Sequence, residues 1–330
     1  MTDASKKTIL SGMRPTGKLH LGHWTGALEN WVALQDAYNN YHLVADYHAL
    51  TTNLDTSDLH RNTIDMVIDW LAGGIDPEKS PVFRQSQIKE HTELHLIFSM
   101  LITKNRLERN PSIKEQVRDL DIENIVYGHL GYPVLQAADI LLYRGDLVPV
   151  GEDQLSHVEI TREIARRFNA TWGEVFPEPQ PKLTKFARLP GLDGKDRKMS
   201  KSMNNTILLS DDPDTVAQKL RKAPTDPLKV RRNDPGRPEV CLIYTYHEKF
   251  NPAETAEIHE GCSTGALGCV DCKKRCGAQI DTFLAPHREA RAGYEAQPDL
   301  VEDILRIGEQ RARTRAEETM HAVHDAMKLG

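Results

Sequence analysis

Two histidines, His20 and His23, stand three residues apart around Leu21 and Gly22. They close the loop Ser11-Gly12-Met13-Arg14-Pro15-Thr16-Gly17-Lys18. Imidazole N–H groups donate to anionic oxygens, and glycine lets a backbone approach a phosphate closely. A second stretch, Lys198-Met199-Ser200-Lys201-Ser202, sets two lysines three apart after Gly191, Asp193, Gly194, Lys195 and Asp196. That run places both ammonium groups on a solvated loop. Taken singly, a Gly-Pro turn with surface histidines, or a solvated lysine-serine face, would have the same composition.

Two further patterns carry chemistry. The apolar run from Tyr132 to Tyr143 contains one carboxylate, Asp139. A buried acid is costly unless it is hydrogen-bonded, so Asp139 alone reads as a helix cap or a structural ion pair. Five cysteines, Cys241, Cys262, Cys269, Cys272 and Cys276, fall in one region, the last four within fifteen positions. The cytoplasmic setting argued below disfavours disulfides, which leaves a metal as the expected partner. A tetrathiolate zinc site and an iron–sulfur cluster are both open.

Alternating strands and helices must position these groups. Thr8 to Leu10 and Tyr41 to Ala45 read as buried strands, and Pro81-Val82-Phe83 and Val148 to Val150 as further ones. Between them lie helical patterns: Leu28, Trp31, Leu34 and Tyr38; Ile64, Val67, Ile68 and Leu71, capped by Ser57 and ended by Gly73-Gly74; then Leu94, Ile97, Phe98 and Leu101. Such alternation predicts a parallel, Rossmann-like α/β sheet whose ligands bind at the strand ends. A proline-rich connector (Pro177, Pro179, Pro181) leads to the lysine loop, and Asp211-Asp212-Pro213 opens a helix. From Lys219 to Arg237 seven basic residues face only Asp226 and Asp234, a candidate phosphate-contacting surface. The last stretch, from Asp299, reads as a long charged helix with Val301, Ile304, Leu305 and Ile307 inward.

The 330 residues suffice for two cored domains, and 39% hydrophobic with 27% charged residues fits a globular protein. A formal net charge of −6 disfavours nucleic-acid binding by bulk attraction and offers nothing for DNA; RNA contact must come from local basic patches. No apolar run reaches membrane length, and Met1 to Lys7 is polar, so a cytoplasmic protein is expected.

His20-Leu21-Gly22-His23 and Lys198 to Ser202, in this order, resemble the HIGH and KMSKS elements of class I aminoacyl-tRNA synthetases. The second matches without departure. Gly151-Glu152-Asp153-Gln154 resembles the tryptophan enzymes; tyrosyl-tRNA synthetases typically read GGSDQ there. The resemblance implies activation of L-tryptophan by ATP, with Mg2+ riding on the triphosphate, and transfer to the 3′-terminal ribose of tRNA(Trp). His20, His23, Lys198 and Lys201 would be catalytic. Arg14, Pro15, Thr16, Gly22, Gly151, Glu152, Asp153, Leu189, Met199, Ser200 and Ser202 would join His23 and the two lysines around ATP. Asp139 would accept the indole N–H, with Tyr132, Gln154, His48 and Leu10 completing a tryptophan pocket. Gln136 departs from the methionine of some relatives, and Gln116, beside Lys114, from a lysine; Lys114 and Gln116 are left outside the site.

A subset of tryptophanyl-tRNA synthetases carries a 4Fe-4S cluster. Cys241, Cys262, Cys269 and Cys272 read C-x20-C-x6-C-x2-C, matching that subset downstream with a first interval two residues short. Cys276 is the leftover thiol or a replacement for Cys241, and zinc is the runner-up metal. The family implies a catalytic domain over 1–200, with 299–330 packing back on it, and an inserted helical anticodon-binding domain over 201–298. It also implies a homodimer. A tyrosyl-type synthetase, or a duplicated synthetase turned regulator with the cluster as sensor, are the alternatives.

Overall fold

The chain is described from a computed structural model covering residues 5–119, 122–151, 154–183 and 189–329. It divides into two compact units: 1–17 with 30–185 and 297–330, and 18–29 with 186–296.

The first unit is built on five parallel strands, β1 (Thr8–Met13), β2 (Asn39–Val44), β3 (Val82–Arg84), β4 (Leu147–Val150) and β5 (Gln180–Leu183). Their order is β3-β2-β1-β4-β5, so the chain reverses direction of winding between β1 and β4. β1 and β2 pair in register from Thr8 opposite Asn39 to Met13 opposite Val44, and Gly12 allows that closeness. A Cβ there would stand 2.7 Å from the Leu43 carbonyl oxygen. β1 and β2 are buried along most of their length, as strands covered on both faces are, whereas the edge strand β5 is not. Leu10, Leu43, Phe83, Val148, Ile140 and Ile164 share one buried cluster.

β5 lies in the stretch expected to be a proline-rich connector. Pro181 lacks a backbone donor, which an edge strand tolerates. The helix after β2 runs Leu59–Ala72, and the residue before it is Asp58, which makes no side-chain cap; Ser57 lies one residue further out. The last helix, Pro298–Met327, packs on β3. A Cβ on Gly308 would stand 1.9 Å from the Val82 carbonyl oxygen, so only glycine lets helix and strand meet there. Val301 and Leu305 face inward as expected. Ile307, at 45% exposure, does not; Gly308 and Ala312 hold the buried stripe. Arg84 ties the helix to the sheet through Glu309 at 2.6 Å and Glu302 at 3.2 Å.

The second unit is helical. Asp212 caps the helix Pro213–Lys222 by accepting from the Thr215 N–H at 2.8 Å, with Pro213 at the first turn. Leu220, Ile243, Tyr246, Ile280 and Leu284 are fully buried in this unit, and the Tyr246 hydroxyl donates to the Pro190 carbonyl at 2.7 Å. Much of the basic segment is spent locally. Lys219 pairs with Asp211 at 2.5 Å, Arg237 with Asp226 at 2.7 Å, and Lys229 donates to the Asp234 carbonyl. Asp226 is held well below the usual carboxylate range, chiefly by Arg237. Arg221, Lys222, Arg231 and Arg232 remain exposed. Among the described residues, no helix is long and apolar enough to cross a membrane.

Candidate functional site

In the second unit the histidine stretch and the lysine stretch meet. His20 caps the short helix Leu21–His23, its Nδ1 accepting from the His23 N–H at 3.3 Å. His23 Nδ1 accepts in turn from the His20 N–H at 3.2 Å. The rings stack with centroids 3.7 Å apart. Because both Nδ1 atoms accept, the single proton of each neutral ring is on Nε2, and both Nε2–H groups are donors. The helix widens just beyond: the Glu29 N–H donates to the Trp24 carbonyl, five residues back, and this π-turn was not legible from the spacing. A short bridge pairs His20 with Leu208, and the Leu21 N–H donates to the Ile207 carbonyl at 2.9 Å.

Asn205 holds the lysine loop. This side chain is 2% exposed. Its Oδ1 accepts from the Ser200 N–H at 2.7 Å, while Nδ2 donates to Asp193 at 2.6 Å and to the Lys198 carbonyl at 2.9 Å. The loop is therefore anchored at its base, while Lys198 and Ser202 stay exposed. Lys201 Nζ donates to the Lys18 carbonyl at 2.8 Å, and the Gly22 N–H points at the Met199 sulfur at 3.3 Å. Met199 and Leu189 are buried. Burial first, then Lys201 and Lys198, push the His20 ring down to about 4. Burial, His20 and the same two lysines push His23 down to about 3. Near neutral pH the site thus sets two neutral N–H donors beside two lysines, an arrangement whose chemistry suits anionic oxygens.

Arg14, Pro15 and Thr16 belong to the first unit, where they line a cavity of about 330 Å³ with Thr52, Asn53 and Asp58. Arg14 Nη1 donates to Thr52 Oγ1 at 3.2 Å. Gly151 follows β4, and its carbonyl accepts from the Gln154 N–H at 3.1 Å at the start of the helix Leu155–Trp172. Glu152 and Asp153 lie outside the described residues.

Asp139, 2% exposed, is in the helix Tyr127–Leu142 of the first unit. Burial alone would raise its carboxyl, but His48 and then His91 hold it well below the carboxylate range. His48 Nε2 donates to Oδ2 at 2.7 Å, and Gln85 Nε2 donates to Oδ1 at 2.7 Å. His91 Nδ1 also stands 2.7 Å from Oδ1. Gln85 and His91 were missed in the sequence because each comes from a different turn of chain beyond β3. A carboxylate offers about four lone-pair positions, so these partners leave acceptor capacity for a ligand's N–H.

Tyr132 lies beside His48, with ring centroids 6.3 Å apart. Its hydroxyl oxygen accepts from Gln116 Nε2 at 3.0 Å and meets His157 Nε2 at 3.0 Å. The Ser112 N–H donates to Asn110 Oδ1, which turns Asn110 Nδ2 toward His157 Nδ1 at 3.2 Å. That places the His157 proton on Nε2, facing Tyr132. Asn110 and His157 are fully buried. Leu10 sits on β1 at 4% exposure in the same hydrophobic cluster as Tyr132.

The four expected cysteine ligands are all in the second unit. The Cys272 thiol is pushed up to about 12, by burial first and then by Cys241, Cys262 and Cys269, so all four are in electrostatic range of one another. Lys229 acts on Cys262, Lys273 on Cys241, Cys269 and Cys272, and Cys272 Sγ is 3.4 Å from His247 Nε2. Cys276 is fully buried, its thiol raised by burial and then by Cys272 and Cys241. Among the described residues no group of three or more His, Cys, Asp or Glu side chains converges to hold a metal ion.

The family model for class I tRNA synthetases of the W and Y kind matches residues 2–285. A tryptophan–tRNA ligase of Thermotoga maritima is 50% identical over 326 residues, spanning 97% of this chain and 99% of its own. One from Aquifex aeolicus is 41% identical over 394 aligned positions, spanning 97% and 99%. The chain belongs to the tryptophan–tRNA ligase family. The fold agrees: the crystal structure of tryptophanyl-tRNA synthetase from Campylobacter jejuni complexed with ADP and tryptophan aligns with a TM-score of 0.88 at 33% identity, over 98% of this chain and 100% of that one.

Proposed function

We propose that the chain joins L-tryptophan to ATP and then to tRNA(Trp) with the residues assembled above. In the first step the tryptophan carboxylate attacks the α-phosphorus of ATP, giving tryptophanyl-adenylate and pyrophosphate. In the second a ribose hydroxyl of the tRNA 3′ end attacks the acyl carbon and AMP leaves. Neither step requires a protein nucleophile, so catalysis is positioning and charge stabilisation. Lys198 and Lys201 hold the departing pyrophosphate, aided by Mg2+ carried on the triphosphate. His20 and His23 donate through Nε2–H to phosphate oxygens. Arg14, Pro15, Thr16, Gly22, Gly151, Glu152, Asp153, Leu189, Met199, Ser200 and Ser202 complete the nucleotide contacts.

For tryptophan, Asp139 takes the indole N–H, with Leu10, His48, Tyr132 and Gln154 around the amino acid. A ligand lacking that N–H leaves a buried acceptor unpaired, at a cost of about 1–3 kcal/mol. The observation that carries the reading is the pairing of Lys201 with the Lys18 carbonyl, which supports one receptor made from the HIGH and KMSKS stretches. Incubating the protein with ATP, labelled tryptophan and tRNA tests it. Tryptophan should become ester-linked to the tRNA 3′ end, and failure to charge would refute the reading.

For Cys241, Cys262, Cys269 and Cys272 we propose a 4Fe-4S cluster. Four thiolates with Lys229 and Lys273 nearby fit an anionic cluster, whose charge the lysines offset. The cluster would cross-link the helical unit in a structural role or take part in anticodon contact. Iron and sulfide near four each per chain are expected in protein purified without oxygen, and zinc without iron would contradict the assignment. We further propose that 201–298 reads the anticodon, that 299–330 completes the catalytic domain, and that the enzyme is a cytoplasmic homodimer.

A further inference from the structure

We propose that the first unit carries a second anion site, for a phosphate group, at the N-terminal end of β2 where the last helix crosses it. A cavity of about 490 Å³ is lined there by Asn40, Tyr41, Lys79, Arg311, Arg315 and Glu318. Its place follows from the fold. β2 begins at Asn39, so these residues sit at the strand end opposite the one where ligands of open α/β sheets bind.

The charges there are out of balance. Arg311 and Arg315 are four apart on one helix and therefore share a face. Arg311 Nη1 donates to the Pro77 carbonyl at 2.7 Å, a neutral acceptor. Arg315 Nη1 reaches Glu318 at 3.1 Å. Arg144, outside that lining, is near enough to Arg315 and Glu318 to feel both. Its Nε is buried with no hydrogen-bond partner among the described residues. Lys79 is paired outward, with the exposed Asp36 at 2.8 Å. Two guanidinium groups and one ammonium group thus line a cavity with a single lining carboxylate. Tyr41, buried and stacked on Tyr143 with centroids 4.8 Å apart, closes the floor.

Guanidinium groups are planar forks matched to phosphate, and two of them on one helix face can together hold an anion that accepts several hydrogen bonds. A carboxylate on the protein, Glu318, supplies only part of that. The ligand class is a phosphate or phosphate ester; the cavity exceeds a bare phosphate, so a nucleotide phosphate and free phosphate are the two sources to separate.

Amide hydrogen exchange on the full chain locates the site independently of the catalytic one. With millimolar inorganic phosphate, peptides covering 39–42 and 311–318 should exchange several-fold more slowly. AMP acting at a lower concentration than phosphate would identify the nucleotide as the source, and equal action the free anion. The double variant Arg311→Gln/Arg315→Gln should lose this protection while keeping tryptophan-dependent pyrophosphate exchange. Glu318→Gln, which removes the competing carboxylate, should shift protection to several-fold lower phosphate. A general folding defect would not produce that gain. No phosphate effect on these peptides, or the same effect in the double variant, would overturn the proposal.

Discussion

His20 and His23 cap each other. Each ring's Nδ1 accepts the other residue's backbone N–H, at 3.3 and 3.2 Å, and the rings stack 3.7 Å apart. This arrangement requires both rings to be neutral, and burial and the neighbouring lysines enforce it. The charge that meets ATP therefore resides on Lys198 and Lys201, and the histidines contribute directed donors.

Replacing Lys201 by alanine removes a charge that matters most as the pyrophosphate leaves. Adenylate formation should fall by roughly 100-fold or more, on the scale of losing one preorganised electrostatic partner. Tryptophan affinity, measured by equilibrium titration without ATP, should stay within a factor of about two. Unaltered adenylate formation would remove Lys201 from the chemistry.

Asn205→Ala should loosen the lysine loop without touching either lysine. Three hydrogen bonds disappear and the Ser200 N–H loses its acceptor. The cost is about 1–3 kcal/mol for each buried group left unpaired. The KM for ATP should rise well before the KM for tryptophan does, and a lower melting temperature should accompany it. Equal changes in both KM values would show that Asn205 acts on more than the loop.

Asp139→Ala should lose discrimination against tryptophan analogues without an indole N–H. Gln85→Leu should weaken it less, because His48 still fixes Oδ2. Competition of such analogues with tryptophan reports both; selectivity equal to that of the unchanged protein would assign the indole N–H to another group.

His42 gives a stability prediction. It is fully buried, stacked on Trp31 at 4.9 Å, and neither ring nitrogen has a partner among the described residues. Burial pushes it down to about 3. The unfolded chain, with histidine near 6.5, binds more protons between these values, so stability rises with pH across that window and is lost as pH falls below about 6.5. His20 and His23 act in the same direction. His42→Phe should hold its melting temperature at pH 7 and lose less of it by pH 4.5 than the unchanged protein. Parallel curves would mean that His42 does not couple folding to protons.

Where the sequence was readable and where it was not follows from range. β1 to β4 announce themselves as apolar runs, and the His20 and Lys198 stretches carry their residue types locally. The parallel β5 was hidden because Pro181 reads as a connector, and Ile307 because a regular stripe does not foretell that Gly308 must sit on Val82. The supports of the site were least visible. Gln85 and His91 reach Asp139, His157 reaches Tyr132 and Asn110 reaches His157, across 25 to 54 positions of sequence, where no periodicity links them. Asn205 was in view next to the lysines, but only the folded loop shows that its amide serves both ends.

The most direct measurement is ATP–pyrophosphate exchange with tryptophan and with tyrosine, on the full chain and on Lys201→Ala. Exchange that depends on tryptophan, ignores tyrosine and collapses in the variant is the expected result. Exchange with tyrosine, or with neither amino acid in the unchanged protein, would contradict it.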